Sequence, residues 1–159
     1  MRAFSGTYHS KLDRGRCFFP AVLRKELPNE EKVYFKARVT ENDEKYLEIY
    51  EDGDWKERVE ALKSAIDYEA FDYEKEEILT DYLASAEIIE MEMNSPTNPT
   101  NNGRMLIPKK LLEAIGVKSE VTIVGSYGML QIWDKDAFAN RSGTGKSLKS
   151  RISELKNRV

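Results

Sequence analysis

The chain writes Gly-Arg-x-x-x-Pro twice, 88 residues apart: "GRCFFP" at residues 15–20 and "GRMLIP" at residues 103–108. The match extends well beyond those six positions. Gly15 falls on Gly103, Arg16 on Arg104, Phe19 on Ile107, Pro20 on Pro108, Leu23 on Leu111 and Leu27 on Ile115. Further along, "KVYFKA" (32–37) falls on "EVTIVG" (120–125). Once five extra residues are allowed in the first connection, "YLEIYEDGDW" (46–55) falls on "MLQIWDKDAF" (129–138), so that Tyr50 matches Trp133 and Trp55 matches Phe138. An internal repeat dictates architecture before any single element does. The chain must be two copies of one small unit.

Each copy reads the same way. A strand enters a Gly-containing turn and a short strand leaves it ("CFF", "MLI"). Pro20 or Pro108 then starts a helix of one or two turns, where a missing N–H costs nothing. A hairpin follows, "KVYFKARV" with "KYLEIY" and "EVTIVGS" with "MLQIW", rich in the β-branched and aromatic residues that suit strands. "SYG" (126–128) reads as a tight turn and "TENDE" (40–44) as a longer one. Helical spacing of Trp55, Val59, Leu62 and Ile66 predicts a helix after the first hairpin. The stretch "YEKEEILTDYLASAEII" (73–89) continues it with Ile78, Tyr82 and Leu83. "NSPTNPTNN" (94–102) reads as a polar loop, and residues 143–159 as a short basic helix or a disordered tail. The fold class is mainly β with short helices, α+β. The domain expectation is a first module at 4–53, connecting helices at 54–85, a second module at 86–138 and a basic tail at 139–159.

Charge is distributed unevenly along this frame. Residues 1–40 hold nine Lys/Arg against four Asp/Glu, residues 41–92 five against nineteen, and residues 141–159 six against one. A net charge of −3 therefore conceals basic ends around an acidic middle. The acidic stretch falls largely at helical spacing opposite an apolar stripe, which reads as a solvated face that would repel DNA. The opening "MRAFSGTYHS" lacks a charged leader followed by an apolar run, and no apolar run approaches bilayer length. One cysteine excludes an internal disulfide framework. The expected setting is the reducing cytoplasm, with no membrane partner.

A single Gly-Arg turn would be an ordinary surface feature, with Gly supplying positive φ and Arg solvated. Two at equivalent places in a repeat project from one end of the molecule. Lys11, Arg14 and Arg16 in the first loop, with Asn102 and Arg104 in the second, form a cationic face beside flexible polar groups. Such a face suits phosphate contacts, and arginine's planar fork can also read guanine. Asp13 reads as an Asx-turn residue that can also hold Arg16. Phe18, Phe19, Tyr34, Phe35 and Trp133 read as core. His9 and Cys17 are the only residues of their kinds, so no Cys/His metal site can be built. A Cys17–His9 nucleophile pair is conceivable, but Cys17 in an apolar strand reads as a small hydrophobe. "GTGKS" (143–147) has Asn140 where a phosphate loop needs glycine, and lacks the preceding buried strand. Neither an enzymatic site, nor a metal, nor a cofactor, nor a small-molecule substrate is expected.

The segments "FSGTYHSKLDRGRCFFPAVLRKEL" and "GRMLIPKKLLEAIGVKSEVTIVGSYGMLQIWDKDAF" resemble the MraZ family of bacterial transcriptional regulators, built from two tandem SpoVT-AbrB-like modules. The resemblance covers about Phe4 to Phe138. It rests on Gly-x-Tyr near the start, Asp-x-Gly-Arg, the proline-initiated helix and "VGSYGMLQIWDKDAF". It implies a double swapped-hairpin AbrB-like barrel formed within one chain as a pseudo-dimer. It also implies a ring-shaped homo-oligomer that binds tandem promoter repeats in double-stranded DNA upstream of division and cell-wall genes, and hence a nucleoid-associated protein. Arg14 stands where the family's loop usually has lysine. Thr100, Asn101 and Asn102 depart from the motif in the second loop, which is longer and carries Pro96 and Pro99. The alternative is a ring-forming interaction protein that no longer binds DNA specifically.

Overall fold

Two antiparallel hairpins form the centre of the protein, as the β-branched and aromatic runs require. Strands β1 (Thr7–Lys11), β2 (Arg16–Phe18), β3 (Lys32–Val39) and β4 (Lys45–Tyr50) come from the first half. Strands β5 (Glu87–Glu92), β6 (Arg104–Leu106), β7 (Glu120–Gly125) and β8 (Leu130–Asp134) come from the second. The computed structural model describes residues 2–18, 20, 32–92 and 103–158. The expected helix after Pro20, with Phe19, Leu23 and Leu27, and the polar loop with Asn102 lie outside the described residues.

The eight strands form one sheet in the order β1-β7-β8-β4-β3-β5-β6-β2. The halves are interleaved. β1 pairs with β7 of the second half (Thr7 opposite Val124), and β5 pairs with β3 of the first (Val33 opposite Ile89). β4 and β8 meet in the middle, Leu47 opposite Ile132, and β2 meets β6 at the far end of the order. Exchanging the two halves leaves these four pairings unchanged, while β5 also pairs with β6 (Met91 opposite Met105) and the equivalent β1 and β2 end the order unpaired with each other; neither copy has a complete sheet alone. The main core draws on both: Val33, Phe35, Leu47 and Ile49 pack with Met105, Ile107, Val121, Ile123, Leu130 and Ile132, all essentially buried. Burial of this much branched apolar surface is the dominant stabilising term.

The repeat persists in the helix starts. Helix α1 (Asp52–Ala65) is capped by Glu51, whose carboxylate accepts from the Asp54 amide, and α4 (Lys135–Ala139) by Asp134, which accepts from the Ala137 amide. These are equivalent positions, and each cap satisfies an amide that has no partner within its helix. The aromatic contacts match as well. Tyr50 meets Trp55 edge-on with ring centroids 5.3 Å apart, and Trp133 meets Phe138 edge-on at 5.7 Å.

Beyond their hairpins the halves diverge. Helix α2 (Tyr73–Ala84) packs back through Tyr82, which stacks on Trp55 at 5.2 Å; Trp55 also stacks on Tyr34 at 5.5 Å. The helical reading of residues 73–89 overshoots: α2 ends at Ala84, and Glu87–Glu92 is strand β5. Ile78 and Leu83 are exposed rather than core. In the second half, Pro108 is the residue before helix α3 (Lys109–Ala114) rather than its first residue. The basic tail forms helix α5 (Leu148–Lys156), whose N-cap Ser147 accepts from the Ser150 amide.

Candidate nucleic-acid interface

The first Gly-Arg turn is a two-residue hairpin loop. Asp13 and Arg16 exchange both backbone hydrogen bonds at 2.9 Å, and the intervening Arg14 and Gly15 have φ of +53° and +80°. Positive φ at both central residues matches the twist of a tight hairpin. Gly15 adopts it without cost, whereas Arg14 is held in a conformation that non-glycine residues avoid. This places an exposed arginine at the tip of a tight, doubly hydrogen-bonded loop. In the second loop, Gly103 has φ of +73°.

The two strands that leave these turns lie side by side. In the β2–β6 ribbon Arg16 faces Leu106, Cys17 faces Met105 and Phe18 faces Arg104. Residues directly opposite each other share a face, and successive residues alternate. Cys17 and Met105 therefore point into the core, and both are buried. Arg16, Phe18, Arg104 and Leu106 share the outer face, with the arginines on one diagonal and the apolar residues on the other. Phe18 and Leu106 are each 49% exposed. The reading of Phe18 as core is thus corrected. Its alternation with Cys17 is the signal that places it outside.

The halves are tied together at this ribbon. The Ile107 amide donates to the Gly15 carbonyl at 2.9 Å. Arg104 Nη2 donates to the Asp13 carboxylate at 3.3 Å, and its guanidinium lies 5.8 Å from the centre of the Phe18 ring. Asp13 is therefore linked to Arg16 through the backbone, while its side chain goes to the arginine of the other copy. Beside the ribbon, Arg14, Gly15, Leu106, Pro108, Lys109 and Leu112 line an open groove of about 420 Å³.

Arg14, Arg16 and Arg104 are thus brought together. Lys11 is exposed at the end of β1, where its register partner is Glu120 of β7, so it stands off the ribbon. Asn102 lies outside the described residues. Phe18, Leu106 and Lys109 also belong to this surface, and sequence reasoning missed them as site residues.

No nucleophile pair forms between Cys17 and His9. Burial pushes the Cys17 thiol up to about 12, while His9 on β1 has its Nδ1 2.9 Å from Thr122 Oγ1. Among the described residues no group of three or more His, Cys, Asp or Glu is placed to hold a metal, and no helix is long and apolar enough to cross a membrane.

Fold and site together define a duplicated β protein with exchanged strands and an arginine-bearing ribbon where its halves meet. The chain is similar to the MraZ family. Its residues 97–151 match the family described as "MraZ protein, putative antitoxin-like". It is 29% identical over 139 residues to the transcriptional regulator MraZ of Bacteroides fragilis, covering 86% of this chain and 80% of that protein. The protein of the same name in Bacteroides thetaiotaomicron is 26% identical over 139 residues, covering 86% and 81%. That of Treponema denticola is 28% identical over 131 residues, covering 82% and 81%.

Proposed function

We propose that this chain is a sequence-specific DNA-binding transcriptional regulator, as its relatives' names state of them that they regulate transcription. The observation that carries this reading is the placement of Arg16 and Arg104 on one outward face of the β2–β6 ribbon, with Arg14 at an adjoining loop tip. A two-stranded ribbon fits the major groove of B-DNA, where arginine forks can reach guanine edges while neighbouring cations hold phosphates. Two-fold-like placement of the arginines presents the same group to both strands of a duplex.

On this reading the functional units are the modules at 4–53 and 86–138, joined by 54–85 and followed by the tail at 139–159. Each module's contact is weak. A ring-shaped homo-oligomer would array many copies over tandem promoter repeats upstream of division and cell-wall genes, multiplying weak contacts through effective concentration. Repeat spacing would then be selected together with sequence. Bound rings would occlude the promoter, with no catalytic step, in the cytoplasm on the nucleoid.

The test is fluorescence-anisotropy binding to the source organism's DNA upstream of those genes, beside a scrambled duplex, over a salt series. Preference for the native sequence with a steep salt slope supports the proposal. Equal and feeble binding to both refutes it, and favours a ring-forming interaction protein without specific DNA binding. The Asp13 carboxylate on Arg104 is the feature that favours that second reading, since it occupies part of the guanidinium.

A further inference from the structure

The repeat places a helical appendage after each hairpin, and the two appendages are opposite in charge. Residues 52–84, holding α1 and α2, carry eleven Asp/Glu against four Lys/Arg. Residues 141–158, holding α5, carry six Lys/Arg against one Glu. Both present apolar side chains to solvent. On α5, Leu148, Ile152 and Leu155 recur at i, i+4 and i+7, are exposed by 44–70%, and are flanked by Lys149 and Lys156. No residue of α5 is buried, so among the described residues this stripe is left largely open to solvent. On α2, Glu74, Glu77, Ile78 and Asp81 recur at helical spacing on one exposed face. Next to it Phe71 is 80% exposed with φ of +70°, and its amide is held by the Glu76 carboxylate at 3.3 Å. Beside the exposed Ile78, this aromatic ring adds to an apolar surface that a partner would cover.

The two appendages are attached at opposite ends of one hairpin. The tail is fastened to the β3–β4 turn, where the Ser142 amide donates to Glu44 at 2.9 Å. The acidic helices begin beyond Tyr50 at the other end of β4, six residues or about 20 Å away. A basic amphipathic helix at one end and an acidic apolar face at the other are complementary between molecules in a head-to-tail arrangement. Such a contact is heterologous, and it closes into a ring when the rotation between copies allows.

We infer that α5 of one copy docks on the α2 face of the next, with Leu148, Ile152 and Leu155 covering Phe71 and Ile78 while Lys149 and Lys156 meet Glu74, Glu77 and Asp81. This names the contact behind the self-assembly in the proposed function, and it rests on that part of the reading. It does not depend on DNA binding.

The experiment exchanges charges between the two faces and reads mass by sedimentation at low salt. One variant carries Lys149→Glu and Lys156→Glu, giving two acidic faces. The other carries Glu74→Lys, Glu77→Lys and Asp81→Lys, giving two basic ones. Each variant alone is expected to sediment near the 18.3 kDa of one chain, and an equimolar mixture to recover the wild-type mass. Recovery also shows that both variants are folded. Wild-type mass for either variant alone, or no recovery on mixing, overturns the inference. A wild-type protein that is itself monomeric overturns the docking contact and the ring together; arginine-dependent DNA binding by that monomer would leave the regulator reading standing.

Discussion

Arg104 donates to the carboxylate of Asp13, 91 positions earlier in the chain, at 3.3 Å. The pair joins the Gly-Arg strand of one copy to the turn of the other, at the face proposed to meet DNA. Asp13 is largely exposed, so the pair adds little stability. Its effect is on charge: a carboxylate beside an arginine weakens attraction to any phosphate. Asp13→Ala is expected to alter unfolding free energy by less than about 1 kcal/mol. It should raise affinity for scrambled DNA more than for native operator, narrowing the ratio between them. Anisotropy on the two duplexes, beside urea melts, checks both parts.

Arg14 separates function from stability. Its left-handed backbone is a strain that glycine would not carry, so Arg14→Gly should leave stability unchanged or raise it by up to about 1 kcal/mol. The same change removes the cation at the loop tip and should weaken DNA binding. Gly15→Ala acts oppositely, destabilising by more than about 1 kcal/mol. Its φ is +80°, and the added methyl would lie 3.4 Å from the Ile107 carbonyl oxygen. Thermal melts and binding isotherms on the pair separate the two effects.

Trp55 holds the acidic helices to the sheet, stacking on Tyr34 and Tyr82 and meeting Tyr50 edge-on. Trp55→Ala should cost about 3–5 kcal/mol and expose α1 and α2 to amide exchange. Its counterpart Phe138 is only half-buried, against Trp133 and Arg141. Phe138→Ala should cost distinctly less. Urea denaturation followed by circular dichroism measures the difference.

How far these relationships are legible in the sequence depends on their range. The repeat is visible residue by residue, and it holds down to the matched aromatic contacts of Trp55 and Phe138. The arginines stand out because each sits in a local motif. Phe18 is easily misread, although strict alternation from buried Cys17 places it outward; its apolar character outweighs its register. The end of α2 is hidden because Ile88 and Ile89 continue an apolar pattern that suits helix and strand alike. The pairing of Asp13 with Arg104 is not legible at all. Strand exchange sends the side chain to the other copy, and no local spacing encodes that.

Alkaline pH should unfold the protein earlier than its surface charge alone predicts. Burial pushes the Cys17 thiol up to about 12 and raises the Tyr46 and Tyr50 hydroxyls above their ordinary values. Each is an acid whose neutral form the fold prefers, so the unfolded chain ionises first. Their contribution is complete below about pH 8.5 and falls progressively as pH rises toward 12. Urea midpoints between pH 7 and 11 should decline, and Cys17→Ala should make the decline above pH 9 shallower. At pH 8 native Cys17 should also resist alkylation, and react once urea unfolds the chain.

On the proposed reading, Arg16 and Arg104 grip DNA through one ribbon face. The most direct measurement compares wild type with Arg16→Ala, Arg104→Ala and the double variant on the native operator duplex, by anisotropy from low to physiological salt. The expected result is a loss of about 1–3 kcal/mol for each single variant, with unchanged melting temperatures. The slope of log affinity against log salt should also fall by about 0.9 for each phosphate contact removed. Affinity and salt slope equal to wild type in the folded double variant would contradict it.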